Sequence, residues 1–251
     1  MNLALGLLLS AGIGVSLGLI GGGGSIITVP VLVYVLGVPA HEAISMSLAV
    51  VGGTALLGSY LHHRRGAVAW KTGTLFAVSG IASAFLGSKL TRHVSSPVLL
   101  LIFAGLMLVV AGIMLVRKDP GDEEARRPPS PARSVAAGLC VGFLTGFLGV
   151  GGGFLIVPAL VLFGGLTMKE AIGTSLFVIA VNCAAGIAGH LSEGNADWRL
   201  TIMVSAMAIL GALGGTALSH RFHPRWLRRI FAWFVVAVAI YLIAKNYAAV
   251  V

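Results

Sequence analysis

Two stretches of this chain are versions of one another, and each is interrupted in its middle by glycine. The segment from Gly14 reads GVSLGLIGGGGSIITVPVLV and the segment from Gly142 reads GFLTGFLGVGGGFLIVPALV. The register continues without a gap. Gly37 matches Gly165, Glu42-Ala43-Ile44 matches Glu170-Ala171-Ile172, Ser47-Leu48 matches Ser175-Leu176, and Gly58 and His62 match Gly186 and His190. Gly66, Trp70 and Gly87 match Gly194, Trp198 and Gly215, and roughly one position in three is identical between Gly14 and Trp70. Glycine bias alone would not bring Pro, Glu, His and Trp into coincidence. The chain is a duplication, so its fold must be one that two copies of a unit build together. It must also accept a run of glycines inside an apolar segment.

Composition says in which solvent. Of the 251 residues, 57% are hydrophobic and 10% charged, whereas a soluble domain carries about 25% charged residues to face water. Mean hydropathy is +0.99. The chain is therefore read as an integral membrane protein, divided by crossings of about 20 residues each. The net charge of +9 comes from bases clustered between apolar runs, as in membrane loops, and nucleic acid is not expected as a partner. Cys140 and Cys183 lie in apolar stretches and read as buried small residues without a disulfide framework. The stretch from Met1 to Ser16 lacks a basic leader region and runs into the repeated motif, so it is expected to be retained structure.

The segment from Arg117 to Arg133, RKDPGDEEARRPPSPAR, is too charged and proline-rich to bury itself. It divides the chain into a first transmembrane repeat at 1–116, a linker at 117–134 and a second repeat at 135–251. Each repeat holds five apolar segments, at 3–20, 25–37, 43–61, 72–88 and 98–116, then 135–149, 153–165, 171–189, 200–218 and 229–249. Residues 3–37 as one helix would run about 50 Å against a hydrocarbon core of ~30 Å. A broken or re-entrant hairpin at Gly21–Gly24 is expected instead.

With five passes per half, one side of the membrane collects Arg64, Arg65, Lys71, the linker bases, Lys169 and the bases of 221–229, thirteen in all, against Lys89, Arg92, Arg199 and Lys245. Merging each hairpin into one pass gives ten against seven. The positive-inside rule favours the odd count, hence inverted halves with the linker cytoplasmic. The expected fold is an all-α membrane protein of two inverted repeats in the cytoplasmic membrane.

Non-helical backbone at membrane depth persists only where protein or a water-filled cavity surrounds it. At Gly21, Gly22, Gly23, Gly24 and Ser25, and again at Gly151, Gly152 and Gly153, successive N–H groups can turn toward one point. The next helix adds the positive end of its dipole, so two such breaks offer an anion site without a buried base. The competing reading is close packing through small residues.

A second signal is a polar stripe on the third helix of each half. It runs through Ser47, Val51, Thr54, Gly58 and His62, with counterparts Ser175, Ile179, Asn182, Gly186 and His190. Ser47, Thr54, Thr174, Ser175 and Asn182 are candidate substrate contacts, against a role in bonding helix to helix. His62 and His190 are candidate gates or proton carriers, or else interfacial residues. Thr167 and Glu170 have the spacing of a capping box, and Trp70 and Trp198 of interfacial anchors. A serine hydrolase at Ser25 fails because the repeat places Gly153 there. A metal site from His41, His62 and His63 lacks a carboxylate or thiolate cluster. No metal, cofactor or enzymatic activity is expected.

The repeated G-x-x-x-G-x-x-G-x-G-G-(G/S)…V-P motif, followed by E-A-I-(S/G)-x-S-L, resembles the sulfite exporter TauE/SafE family of membrane permeases over essentially the whole chain. The second copy, through Pro158 and Gly173-Thr174-Ser175-Leu176, is nearer the family pattern. The first has Ser45-Met46-Ser47-Leu48 where the family shows G-T-S-L. The resemblance implies transport of a small sulfur-containing anion such as sulfite or an organosulfonate, usually by export. No nucleotide-binding motif occurs, so the expected energy source is an ion gradient, with a proton as candidate coupling ion, or the substrate's own gradient. The lipid bilayer is the environment, and a homo-oligomer is compatible with all of this. The alternative is a non-transporting membrane scaffold or assembly factor for another complex, which would need no hydrophilic path.

Overall fold

The computed structural model describes residues 3–91, 96–116, 130–148, 153–190, 197–219, 221–222 and 224–246, and among these every regular element is helical. In chain order they are α1 (Leu3–Ile20), α2 (Gly24–Pro30) with a π-helical continuation over Val31–Val35, α3 (Ala40–His63), α4 (Trp70–Thr91) and α5 (Ser96–Val116). Then follow α6 (Pro131–Leu148), α7 (Gly153–Leu162), α8 (Met168–His190), α9 (Trp198–Ser219) and α10 (Pro224–Asn246). Helix is what apolar sequence must form in lipid, where only the segment's own carbonyls can satisfy its N–H groups. The segments Leu3–Ile20, Glu42–His63, Met168–Ile187 and Trp198–Ser219 are each long and apolar enough to cross a membrane. Shorter apolar helices cover Ala104–Val116, Pro131–Thr145 and Ala232–Tyr241. The outer surface carries large apolar side chains such as Leu8, Phe85, Leu210 and Trp233 in the open. Such a surface suits hydrocarbon rather than water.

Most boundaries shift by three residues or fewer from the sequence expectation, and two helix starts differ by more. Helix α6 begins at Pro131, inside the stretch assigned to the linker, because proline at the first helical position forfeits no hydrogen bond there. The linker residues 117–129 lie outside the described ones. Helix α10 begins at Pro224 for the same reason, ahead of the expected 229. The cysteines also part company: Cys183 is buried as expected, whereas Cys140 is exposed on the outer side of α6. A cysteine in an apolar stretch is as much at home against lipid as in a protein interior.

The first hairpin is broken. Gly21 sits at φ +88°, a conformation that residues with a Cβ rarely adopt, and its N–H makes the last bond of α1, to the Leu17 carbonyl at 2.9 Å. Helix α2 then doubles back along α1, with Gly24 against Ile13 and Leu17 and Leu36 against Gly6. Pro30 has no N–H to donate, and the helix widens to π geometry after it. The two returning segments close alike. Gly37 and Gly165 both take positive φ, at +70° and +66°. Past them, Val38 N–H folds back to Leu32 O at 3.0 Å and Leu166 N–H to Leu160 O at 3.2 Å.

Helix α8 starts with the capping box. Thr167 N–H reaches Glu170 Oε2 at 2.9 Å and the Thr167 hydroxyl donates to the same oxygen at 2.8 Å, while Glu170 N–H approaches Thr167 Oγ1 at 3.4 Å.

The first five helices pack mainly on the last five. Helix α1 lies along α9, α4 along α6, α3 across α8 and α5 along α10. In the α1–α9 seam a Cβ on Gly14 would run into the Ala208 carbonyl, and one on Gly215 into the Val15 carbonyl. In the α4–α6 seam a Cβ on Gly142 would run into the Gly80 carbonyl. Gly14 aligns with Gly142, and Gly80 with Ala208, in the sequence repeat. Helices α3 and α8 cross antiparallel: a Cβ on Gly58 would lie only 3.0 Å from Leu176 Cδ1, and one on Gly186 only 3.1 Å from Leu48 Cδ1. These four are again aligned positions.

Candidate functional site

The two glycine breaks come together in the interior. Gly21, Gly22, Gly23, Gly24 and Gly153 are all buried. A Cβ on Gly153 would lie 2.5 Å from Ser25 Oγ, 3.1 Å from the Gly22 carbonyl and 3.2 Å from Ile179 Cδ1. Ser25 and Gly153, aligned in the repeat and each in the first turn of its helix, are thus in contact with one another. Gly151 and Gly152 lie outside the described residues.

The other break glycines meet helices from both halves. A Cβ on Gly21 would lie 2.5 Å from Ser175 Oγ and 3.0 Å from Val157 Cγ2, and one on Gly23 would lie 3.1 Å from the Phe234 ring and 3.4 Å from Ser16 Oγ. The breaks are closely packed, and absence of Cβ is what lets them interlock. No side chain caps the start of α2, and the Ser25 hydroxyl donates to Gly22 O at 2.7 Å. No charged residue occurs between Gly21 and Ser25.

The polar stripe of α8 faces this region, because Ile172 and Ser175 lie against Gly21 and Ile179 against Gly153. Asn182, one turn further, has its Oδ1 buried with no hydrogen-bond partner. A buried amide oxygen without a partner is costly and unusual. The hydroxyls on the stripes are mostly occupied. Thr54 donates to Val50 O at 2.6 Å and Ser175 to Ile172 O at 2.8 Å. Thr174 Oγ1 accepts from Ala69 N–H at 2.9 Å, which ties α8 to the start of α4. Ser47 is buried on α3.

The histidines separate. His62 is buried, with Nε2 3.4 Å from the Gly18 carbonyl of α1. Its neighbour His63 turns outward, accepting a hydrogen bond from Trp70 Nε1 at 3.1 Å. Trp70 in turn stacks edge-on against Phe177, with ring centroids 4.8 Å apart. His190 ends α8, and its side chain lies outside the described residues.

The sequence model of the sulfite exporter TauE/SafE family matches residues 6–242, from the first turn of α1 to the last turns of α10. The chain belongs to this family. Among TauE/SafE relatives, a probable membrane transporter protein of Xylella fastidiosa (strain 9a5c) is 35% identical over 246 residues, spanning 95% of this chain and 94% of its own. The probable membrane transporter protein YdhB of Bacillus subtilis is 29% identical across 83% of this chain and 86% of its own. A probable membrane transporter protein of Methanocaldococcus jannaschii is 23% identical across 92% and 91%. This TauE/SafE chain is a membrane transporter, not an enzyme.

Sequence reasoning passed over Ser16, Ser59, Thr216 and Phe234. A search for polar positions shared by both halves cannot find the first two, because Leu144 and Ile187 stand opposite them. Thr216 aligns with Ser88, a weak signal in a chain rich in small residues.

Proposed function

We propose that this TauE/SafE transporter carries small sulfur-containing anions such as sulfite or organosulfonates out across the cytoplasmic membrane, binding them where the two glycine breaks meet. The observation that carries the reading is the contact between Ser25 and Gly153. Aligned positions touch only on a twofold axis relating the halves. The antiparallel crossing of α3 and α8 supports an axis that runs across the helices, and so within the membrane plane on this reading. On this reading the halves are inverted, and the heads of α2 and α7 converge near mid-depth, each bringing N–H groups and the positive end of a helix dipole.

Further support comes from the loops. Arg65, after α3, reaches the Thr216 carbonyl near the end of α9 at 3.3 Å, so two loops assigned to the basic side lie at one end of the bundle. An odd number of passes per half requires this. Asn182, whose amide can turn its donors inward, is the side chain we assign to the anion. Thr54 and Ser175 would have to release their helix carbonyls first, and Ser47 and Thr174 complete the lining. Rocking of the α1–α9 pair against the α4–α6 pair about the interlocked breaks alternates access, driven by an ion gradient or by the substrate's own.

The test is flux in liposomes containing the purified full-length protein, with sulfite, thiosulfate, sulfate, sulfoacetate, taurine, acetate and chloride. Saturable flux of a sulfur oxyanion is expected. If none of these anions moves, with or without an imposed pH gradient, the proposal falls.

A further inference from the structure

Buried hydroxyls in this bundle follow one habit. Ser10, Thr28, Thr54, Ser83, Ser175 and Ser219 each donate to a carbonyl three or four residues back on their own helix. In a chain surrounded by lipid this is the expected solution, because no water competes and a hydroxyl left alone is costly. Ser59 and Thr216 depart from it. Their exposures are 2% and 1%, yet neither oxygen has a hydrogen-bond partner. Both are free to rotate a proton toward something else.

Thr216 lies at the end of the bundle where α3 and α9 finish, and helical spacing brings Ser59 to that same end. Thr216 Oγ1 lies 2.9 Å from the position a Cβ of Gly18 would take, and His62 Nε2 lies 3.4 Å from the Gly18 carbonyl. Ser59 precedes His62 by one turn on the same face of α3. The Arg65 guanidinium hydrogen-bonds the Thr216 carbonyl at 3.3 Å. Gly18 itself stands one helical turn before Gly21, where α1 breaks.

The chemistry of this group is led by donors, two hydroxyls and a guanidinium, beside an imidazole whose Nε2 faces the Gly18 carbonyl. The described acids are placed elsewhere. Glu42 is in the first turn of α3 and Asp197 caps α9 through Leu200 N–H, both at the far ends of those helices, and Glu170 is tied to Thr167. A cation would find no carboxylate here among the described residues and would face Arg65. We propose that Ser59, His62, Arg65 and Thr216 form a second anion subsite, a waiting position between the basic end of the bundle and the glycine breaks. It takes a small oxyanion, whose several acceptor oxygens match convergent O–H and N–H donors.

The subsite rests on the reading of the protein as an anion transporter, and its test separates the two. Full-length Ser59→Ala, Thr216→Val and the double variant are purified and reconstituted. Sulfite is then titrated in two measurements, the thermal unfolding midpoint in detergent and the initial rate of flux in liposomes. Replacing an unpartnered buried hydroxyl by an apolar group of similar shape is neutral or stabilising. The anion-free variants should therefore unfold at the wild-type temperature or above it. At the same time the half-saturating sulfite concentration should rise about ten-fold in each single variant, the loss of one hydrogen bond to a charged ligand, and further in the double variant, with maximal flux retained.

Thr216→Ser, which keeps the hydroxyl, should restore the wild-type half-saturation and serves if the valine variant folds poorly. Arg65→Gln should raise half-saturation as well and flatten its dependence on ionic strength. An unchanged half-saturation in the folded double variant overturns the subsite while leaving the transporter reading intact. A wild-type protein that neither moves nor is stabilised by any anion of the panel overturns both.

Discussion

The glycines of the helix seams and the glycines of the breaks do different work, although the sequence writes them alike. Along α1–α9 and α4–α6, a Cβ on Gly14, Gly215 or Gly142 would strike a backbone carbonyl of the facing helix. A carbonyl inside a helix cannot step aside without moving the helix. At the breaks, Gly24 meets the Ile13 carbonyl within its own hairpin, but the nearest atoms to Gly21, Gly23 and Gly153 are Ser175 Oγ, the Phe234 ring and Ser25 Oγ. These are side chains, which rotate or can be trimmed. The seams are therefore built as permanent contacts, and the breaks as contacts that can be remade. Because both seams join helices of opposite halves, the proposed motion is one of the α1–α9 pair against the α4–α6 pair, with the breaks between them.

The comparison breaks most visibly at the seams. Gly14→Val or Gly142→Val should yield little or no monodisperse protein from membranes, judged by membrane-fraction yield and size-exclusion profile. Overpacking costs ~1–3 kcal/mol even where side chains can shift, and here the obstruction is the facing main chain. Normal yield of either variant would mean the two classes of glycine do not differ.

A smaller but repairable effect is expected at the breaks. Gly153→Ala should lower both the unfolding midpoint and the flux, because its Cβ would sit 2.5 Å from Ser25 Oγ. Adding Ser25→Gly to the same chain should restore most of both, since it removes the obstructing atom. A double variant no better than Gly153→Ala alone would show that the two breaks do not meet as described.

Asn182 sharpens the contrast from the other side. Its Oδ1 is buried and unpartnered, so Asn182→Leu should leave stability unchanged or raised while cutting flux at least about ten-fold. Unimpaired transport in a stable Asn182→Leu protein would remove the α8 stripe from the path. The least effect belongs to the capping box at the head of α8. Thr167→Ala should cost ~0.5–2 kcal/mol of stability and leave the half-saturating anion concentration untouched, read from thermal unfolding and flux together.

Much of the helix order was legible because each local signal has a local cause. Apolar segments of membrane length, Gly37 and Gly165 ending their helices at positive φ, and the Thr167–Glu170 box all depend on residues a few positions apart. Proline was legible only in part: Pro30 was seen in the break motif, whereas Pro131 and Pro224 as helix starts were taken for loop. At the site, the breaks and the α8 stripe were visible as pattern, and Ser59, Thr216 and Phe234 were not. Whether a hydroxyl is left without a partner depends on the rotamer it takes against neighbouring helices, which no spacing encodes.

The sequence alone determined the solvent, the helices and the points where they break, because hydropathy, glycine and proline act through the chain's own backbone. Only the tertiary structure decided that Ser25 lies against Gly153, that His62 turns to Gly18 while His63 turns to Trp70, and that Thr216 comes to rest beside Arg65. Those contacts join positions far apart in the chain. They are set by how helices of opposite halves pack, a property of the shape of whole faces that no single motif carries.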